Sequence, residues 1–282
     1  MKGSTLFGII LGTVAIFGAF LWEGGTVATL FLIPAMIIVL GGTIAAGLAG
    51  SSFEMIAKMP VLFRITINPK VYNWEEILDQ LVRLTSQARK EGILSLDEKI
   101  KKIEHPFMKK MFEVVIDGVD ANNFQHIAEV ELNSITERHM ENIGFFNKLG
   151  GYSPTMGIIG TVMGLIATFA KAGSDPNELI KHIATAFIAT LWGIFMANIV
   201  WLPIADKLRY LHEKEMKLNN FVINGVLGVM HGETPSVILT RLASAFPASQ
   251  QGEIMKRLDR LKKEEILLQS QPKIKEELPQ QQ

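Results

Sequence analysis

Hydrophobic and polar positions divide the chain into four long apolar runs and the polar segments between and after them. The apolar runs are Gly3–Trp22, Thr26–Ser51, Gly150–Ala170 and Ile183–Ala205. None of the four contains Asp, Glu, Lys or Arg. Each has the roughly 20 residues that a helix needs to cross a hydrocarbon core of about 30 Å. The pattern therefore predicts four transmembrane helices, with Pro34 bending the second.

The polar segments carry helical patterns, and no alternation is strong enough to predict a sheet. Asn73 is a candidate N-cap, and Gly92 is a candidate stop for the helix that follows it. Ser95 and Glu98 have the spacing of a capping box. The predicted helices are Trp74–Glu91, Leu96–Ile103, Phe107–Asp117, Ala121–Asn147 and, after Thr234-Pro235, Ser236–Phe246.

Lys and Arg are distributed unevenly between the polar segments. The link after the first apolar run has none, and residues 52–148 have thirteen. The link before the fourth run has two, and the chain after Pro203 has twelve. Because loops rich in Lys and Arg stay in the cytoplasm, both large polar segments and both termini are predicted to lie there.

The predicted fold class is an all-α polytopic membrane protein. It has four transmembrane helices, a large helical cytoplasmic domain between spans two and three, and a helical cytoplasmic tail. The predicted domains are 3–51 (transmembrane helices one and two), 52–148 (cytoplasmic helical domain), 149–205 (transmembrane helices three and four), 206–268 (cytoplasmic helical tail) and 269–282 (disordered tail). The last segment is rich in Gln, Pro, Lys and Glu, a composition typical of disorder.

Composition disfavours several classes of function. A mean hydropathy of +0.25 is typical of membrane proteins, and a net charge of zero disfavours a nucleic-acid partner. The chain has no cysteine, and its six histidines form no metal-binding motif. Phosphate-binding and dinucleotide-binding motifs are absent, and no nucleophile, base and orienting group can be assembled. We therefore expect no enzyme activity, no bound metal and no cofactor.

Small residues recur at three- and four-residue spacing in the third apolar run. They are Gly157, Gly160 and Gly164. This spacing lets helix backbones approach closely and favours helix association in lipid. Packing within one chain and packing between copies are both compatible with the pattern.

Each of the last two apolar runs has one threonine near its centre and one proline near one end. The threonines are Thr161 and Thr190, and the prolines are Pro154 and Pro203. A hydroxyl within a membrane helix most often bonds to the carbonyl four residues earlier; the alternative is a pore lining that binds a hard cation. Prolines near span ends are common; the alternative is a paired hinge near the cytoplasmic face.

The four spans have no ionisable group at their centres. A proton or sodium pathway normally requires an intramembrane carboxylate. The chain therefore either conducts nothing, or it receives a carboxylate from a partner helix that packs against its threonines.

Several separate segments follow the pattern of one family. They are residues 186–195 (AFIATLWGIF) with Pro203, residues 150–154 (GGYSP) and 160–166 (GTVMGLI), residues 88–97 (ARKEGILSLD) and residues 232–238 (GETPSVI). Together they resemble the MotA/PomA/MotP family of flagellar motor stator A subunits. The resemblance extends over roughly residues 1–250.

The resemblance implies a bacterial inner-membrane ion channel that serves motility and chemotaxis. In such stators, five copies of the A subunit surround two copies of a B subunit. The B subunit supplies one membrane helix with the ion-carrying aspartate, and the ring pushes the rotor protein FliG. Membrane lipid and the transported Na⁺ or H⁺ complete the expected ligands.

The resemblance also implies roles for individual residues. Arg89 and Asp97 match charged rotor-contact positions, where the family commonly has Glu in place of Asp97. Lys90, Glu91 and Glu98 are weaker candidates, and a solvated charged face is the plain alternative for this set. Thr161 matches a position at which sodium-driven members tend to have Thr and proton-driven members Ala, which favours sodium.

Two alternative functions differ from this one. The nearer is an ExbB/TolQ-type ion-driven motor subunit that energises envelope transport, but such subunits have three spans. The other is a membrane scaffold or plain channel without a motor role.

Overall fold

The structure is a computed structural model that describes residues 3–170, 176–254, 256–257 and 259–260. All regular structure in these residues is helical, which confirms the predicted all-α class. Two predicted features lie outside the described residues, namely the link between the last two spans around Lys171 and the disordered tail 269–282.

The helices follow one another with short connections. The first part of the chain forms α1 Ser4–Trp22, α2 Val27–Leu30, α3 Ile33–Met36, a π-helical segment Ile37–Gly41, α4 Gly42–Ala49 and α5 Phe53–Ile67. The middle part forms α6 Trp74–Glu91, a 3₁₀ turn Ile93–Leu96, α7 Asp97–Ile100, α8 Pro106–Ile116 and α9 Ala121–Phe169. The last part forms α10 Pro176–Phe195, a second π-helical segment Met196–Trp201, α11 Leu202–Met230 and α12 Pro235–Ala243.

The chain packs as two compact units. Unit 1 comprises residues 1–71 and 133–214, and unit 2 comprises residues 72–132 and 215–282. Helices α9 and α11 contribute residues to both units. The two units are defined by contacts within the chain and not by position relative to the membrane. They therefore do not test the predicted transmembrane and cytoplasmic domain bounds, which stay predictions.

Three helical stretches are long and apolar enough to cross a membrane. They are Ser4–Trp22, Ala121–Phe169 and His182–Met230. The stretch Ile33–Ala49 is also apolar but shorter. The second predicted span, Thr26–Ser51, is therefore not one continuous helix, and the count of four spans stays a prediction.

Pro34 accounts for the interruption of this stretch. Proline has no N–H to donate to the Leu30 carbonyl, so one helix cannot run through both residues without a lost hydrogen bond. Instead α2 ends at Leu30, and α3 begins at Ile33 with Pro34 in its first turn. The Leu30 carbonyl accepts a hydrogen bond from Trp192 Nε1 at 2.7 Å. The sequence predicted a bend at Pro34, whereas the structure has a break.

Two apolar clusters form the core of unit 1. One contains Met55, Met59, Leu62, Ile143, Phe145, Phe146, Leu149, Trp201, Ile204, Ala205 and Leu208. The other contains Ala35, Val39, Ala189, Trp192 and Phe195 and lies within the predicted spans. Because lipid is as apolar as these side chains, the second cluster is stabilised by close packing rather than by removal from water.

A half-buried histidine pair joins α9 to α11 in unit 1. The Nδ1 atoms of His139 and His212 lie 3.1 Å apart, and the ring planes are nearly perpendicular. Burial lowers the pKa of His139, and the charge of Arg138 acts in the same direction. The neutral pair can share one N–H···N hydrogen bond, which a second proton would abolish.

Helix α6 is the central element of unit 2. Its predicted apolar stripe, Ile77, Leu81 and Leu84, is buried. The Asn73 side chain accepts a hydrogen bond from the backbone N–H of Glu75, and Gly92 has a φ of 85°. Both predicted ends of this helix are therefore confirmed.

Helix α6 also packs against the later part of the chain. Gly225 of α11 lies so close to Leu81 that a Cβ there would come within 2.6 Å of a leucine methyl group. Arg257 forms ion pairs with Asp79 at 2.9 Å and with Glu75 at 3.6 Å. Arg257 therefore contacts α6 within this unit.

The predicted capping box is wrong. The Ser95 hydroxyl donates to the Gly92 carbonyl at 2.7 Å and caps no N–H of α7. Residues 93–96 form a 3₁₀ turn, and α7 ends at Ile100 rather than at Ile103. A serine hydroxyl this close to a preceding turn competes for its carbonyl, which explains the difference.

The contact between α9 and α10 generates a stability prediction. A Cβ on Gly157 would lie 2.8 Å from the Ala189 carbonyl oxygen, a backbone atom that cannot move aside alone. Gly157→Ala should therefore separate the two helices and destabilise the protein by about 1–3 kcal/mol. The measurement is the thermal unfolding midpoint in detergent, together with the amount of protein in the membrane.

Gly144→Ala is the matched control in the same helix, because nothing lies within 4 Å of its added Cβ. It should be neutral or slightly stabilising, since alanine is the better helix former. Equal tolerance of both substitutions would contradict a requirement for close approach at Gly157.

Candidate ion-pathway and rotor-facing sites

The two predicted pathway threonines meet across the interface between α9 and α10. Their hydroxyl oxygens are 2.5 Å apart. The Thr161 hydroxyl also lies 3.1 Å from the carbonyl of Gly157 and 3.1 Å from that of Ala186. Both threonines are half-buried.

Each threonine hydroxyl has one proton, and this limits which of the hydrogen bonds around Thr161 can form at the same time. A hydroxyl donates once, so when Thr161 donates to a carbonyl, Thr190 donates to Thr161. Thr161 makes the hydrogen bond to the carbonyl four residues earlier, the more common of the two alternatives, and the pore lining that binds a cation stays a prediction. Four oxygens, two hydroxyl and two carbonyl, cluster here. Oxygen atoms of this kind can replace water around a hard cation.

The predicted glycine stripe faces α10 of the same chain. A Cβ on Gly160 would lie 2.7 Å from Ala189 Cβ, and one on Gly164 would lie 2.9 Å from Ala186 Cβ. Gly193 on α10 lies opposite Gly157, since a Cβ on Gly193 would lie 3.0 Å from Gly157 Cα. Close backbone approach therefore brings the two threonine hydroxyls together.

The two predicted coupling prolines lie at similar levels of unit 1. Pro154 lies inside α9, and Pro203 lies in the first turn of α11 directly after the second π-helical segment. A Cβ on Gly150, one turn before Pro154, would lie 2.5 Å from a methyl group of Leu202, the neighbour of Pro203. The extra residue of a π-helical turn is a common way to accommodate a helix interruption.

Four of the predicted rotor-contact residues lie in unit 2 at the exposed end of α6 and the start of α7. Arg89 and Lys90 are exposed in the last turn of α6. Asp97 and Glu98 are exposed in the first turn of α7. The turn at Gly92 separates the basic pair from the acidic pair.

The sequence interpretation missed one member of this charged group, Lys101. Its ammonium donates to Asp97 at 2.9 Å and to Glu98 at 3.0 Å. The hydrogen bonds to Asp97 and then to Glu98 raise the pKa of Lys101. The four- and three-residue spacings were visible in the sequence and are typical of such pairs. The acidic pair is therefore partly neutralised within the chain.

Leu94 is the apolar member of this surface. It lies in the 3₁₀ turn between α6 and α7, and 75% of its surface is exposed. Within the described residues, no group of three or more His, Asp or Glu side chains is placed to hold a metal ion.

The helices and their uncharged apolar stretches are those of an all-helical membrane protein. Comparison with known proteins identifies the kind of membrane protein. Residues 99–220 match the model of the MotA/TolQ/ExbB proton channel family. Residues 6–92 match the model of the motility protein A N-terminal region.

Individual relatives are similar over nearly their whole length. The motility protein A of Bacillus subtilis is 34% identical over 260 residues, which cover 90% of this chain and 96% of that protein. The chemotaxis protein PomA of Vibrio alginolyticus is 30% identical over 252 residues, covering 84% and 92%. The solved flagellar MotAB stator complex from Bacillus subtilis matches with a TM-score of 0.83 and 33% identity, covering 89% of this chain and 98% of the matched one.

The chain belongs to the motility protein A family. It is a flagellar stator A subunit, a multi-pass membrane protein of ion-channel type and not an enzyme. The match to the motility protein A N-terminal model and the names of the relatives favour this assignment over the ExbB/TolQ alternative.

Proposed function

We propose that this chain forms, together with a B-type stator subunit, an inner-membrane channel that couples inward cation flow to torque on the rotor protein FliG. Five copies surround two copies of the B subunit, and both chain termini lie in the cytoplasm. The similarity to a protein solved as part of a MotAB stator complex supports the B-type partner. The Lys and Arg distribution supports the orientation.

The threonine pair is the observation that carries this proposal. Thr161 and Thr190 bring two hydroxyl oxygens together within the apolar runs 150–170 and 183–205, which contain no Asp, Glu, Lys or Arg. Neutral oxygens can coordinate a cation, but they cannot supply the counter-charge that makes its entry into a membrane favourable. A carboxylate from the partner helix supplies that charge.

An apolar face beside the threonine pair suits the partner helix. The flanking side chains are exposed and apolar, namely Ile158, Val162, Phe187 and Ile194. A single apolar helix packed on this face would place one of its side chains against both hydroxyls. This supports a B-subunit helix here, with its aspartate facing Thr161 and Thr190.

Sodium is favoured over the proton as the coupling ion. A proton needs a relay of ionisable groups, whereas a sodium ion needs several oxygen ligands at close range. The four oxygens around Thr161 meet the second need. The family pattern at this position supports the same ion.

The charged surface at the α6–α7 turn is proposed to contact FliG. Exposed ion pairs contribute only about 0.2–1 kcal/mol each. A rotor contact that forms and releases repeatedly benefits from weak contacts of this kind. Lys101, which partly neutralises the acidic pair, would have to release Asp97 and Glu98 when a rotor cation approaches.

The coupling ion is tested in a stator-null swimmer that expresses this chain with its B subunit. Rotation should rise and saturate with external sodium and should stop with a sodium-channel blocker. Thr161→Ala should raise the half-saturating sodium concentration about fivefold, because one lost oxygen ligand removes about 1 kcal/mol. Thr13→Ala is the control, since the Thr13 hydroxyl donates within α1 to the Ile9 carbonyl.

Normal rotation without sodium would contradict the sodium preference. Failure to restore rotation with any B subunit would contradict the motor role itself.

The rotor contact is tested by charge reversal. Arg89→Glu should reduce torque without changing the amount of protein in the membrane, and a reversed charge on FliG should restore part of the torque. Asp97→Glu, which keeps the charge, should retain torque, whereas Asp97→Lys should lose it. Glu129→Lys is the control, because Glu129 is an exposed residue of unit 2 far from this turn in sequence. Equal loss of torque in the control and the Arg89 variant would exclude a specific contact.

A further inference from the structure

Two buried hydroxyl groups in unit 1 have no hydrogen-bond partner among the described residues. Ser153 and Thr43 each have 0% of their surface exposed, and both hydroxyl oxygens are unpartnered. A buried hydroxyl in a helix ordinarily donates to the carbonyl four residues earlier, as Thr168 does to Gly164 at 2.7 Å. An unpartnered one costs stability, so such groups mark places where water or an ion binds.

Neighbouring contacts place these two hydroxyls at the same level. A Cβ on Gly42 would lie 2.8 Å from the Met156 sulfur, and one on Gly47 would lie 2.6 Å from a Leu149 methyl group. Residue numbers therefore rise along α4 as they fall along α9, which is an antiparallel register. In this register Thr43 of α4 lies at the level of residues 153–155 of α9.

Ser153 also belongs to the interface that holds the threonine pair. Residues 153, 157 and 161 are spaced at four and lie on one side of α9. The Ser153 carbonyl oxygen is 2.7 Å from the position of a Cβ on Gly193 of α10. Eight residues of helix separate Ser153 from Thr161, which corresponds to about 12 Å along the axis.

A third oxygen at this level lacks its usual helical donor. Pro154 has no N–H, so the buried Gly150 carbonyl cannot receive the hydrogen bond that a helix would otherwise provide. In the predicted orientation, this level is on the cytoplasmic side of Thr161. Neutral hydroxyl and carbonyl oxygens are ligands of the kind that suits a monovalent cation, and they offer no proton relay.

We propose that Ser153 and Thr43 form an inner cation site, two helical turns from the Thr161–Thr190 pair, which accepts sodium as it leaves that pair towards the cytoplasm. The proposal rests on the ion pathway proposed above and adds a second cation-binding site to it. The Thr161–Thr190 pair governs binding of the incoming ion, and the inner site governs release of the ion to the cytoplasm.

The test measures rotation speed against sodium concentration in the complete stator with its B subunit. Ser153→Cys keeps nearly the same volume but replaces a hard oxygen by sulfur, a weak acceptor. It should lower the maximal speed about threefold to tenfold while the half-saturating sodium concentration stays near that of the unaltered stator. Thr43→Val should act in the same way, and Ser153→Thr, which keeps the hydroxyl, should retain most of the speed.

Thr168→Val is the matched control, because this buried hydroxyl has a partner in its own helix. A purely structural role for Ser153 predicts the opposite result. Removal of an unpartnered buried hydroxyl should then leave both stability and speed unchanged or improved. Unchanged speed curves for Ser153→Cys and Thr43→Val would overturn the inner site. If Thr161→Ala still weakens the response to sodium in that experiment, the proposed function stands and only the inner site fails.

Discussion

The close approach of α9 and α10 is the constraint on which the rest of unit 1 depends. Gly157 and Gly193 face each other with no side chain between them, so the two backbones come nearly into contact. Only at this separation do the hydroxyls of Thr161 and Thr190 lie 2.5 Å apart. In lipid this packing receives little help from the hydrophobic effect and relies on close contact and on hydrogen bonds. The same glycines therefore determine both the stability of the helix pair and the geometry of its oxygen cluster.

Unpaired backbone groups are the second constraint, because the apolar helices have no water to satisfy them. Pro34 frees the Leu30 carbonyl, and Trp192 of α10 supplies the missing donor. Pro154 and Pro203 lie in or beside helices that continue past them, and a π-helical segment precedes Pro203. Each proline thus frees one backbone carbonyl, and for Pro34 another helix supplies the missing donor. Proline therefore leaves backbone carbonyl groups without their usual donor within the apolar part of the chain.

Much of the fold follows from local patterns in the sequence. The apolar runs, the capped helix α6 and the small-residue stripe of α9 depend on residues within a few turns of one another. Contacts between distant residues were not predictable in this way. The Trp192–Leu30 hydrogen bond and the His139–His212 pair depend on which helices pack together. The break after Leu30 was expected as a bend, since membrane helices often tolerate proline when a neighbour satisfies the freed carbonyl.

Cross-linking between the two subunits tests the central claim most directly, that the threonine pair faces the carboxylate of a partner helix. The chain contains no cysteine, so a single introduced thiol is unambiguous. We predict that Thr190→Cys forms a disulfide with a cysteine placed next to the ion-carrying aspartate of the B subunit, which requires Cα atoms within about 7 Å. Val14→Cys, an exposed position on α1, should form none. Copurification of the two subunits with no disulfide from Thr190→Cys would contradict the account.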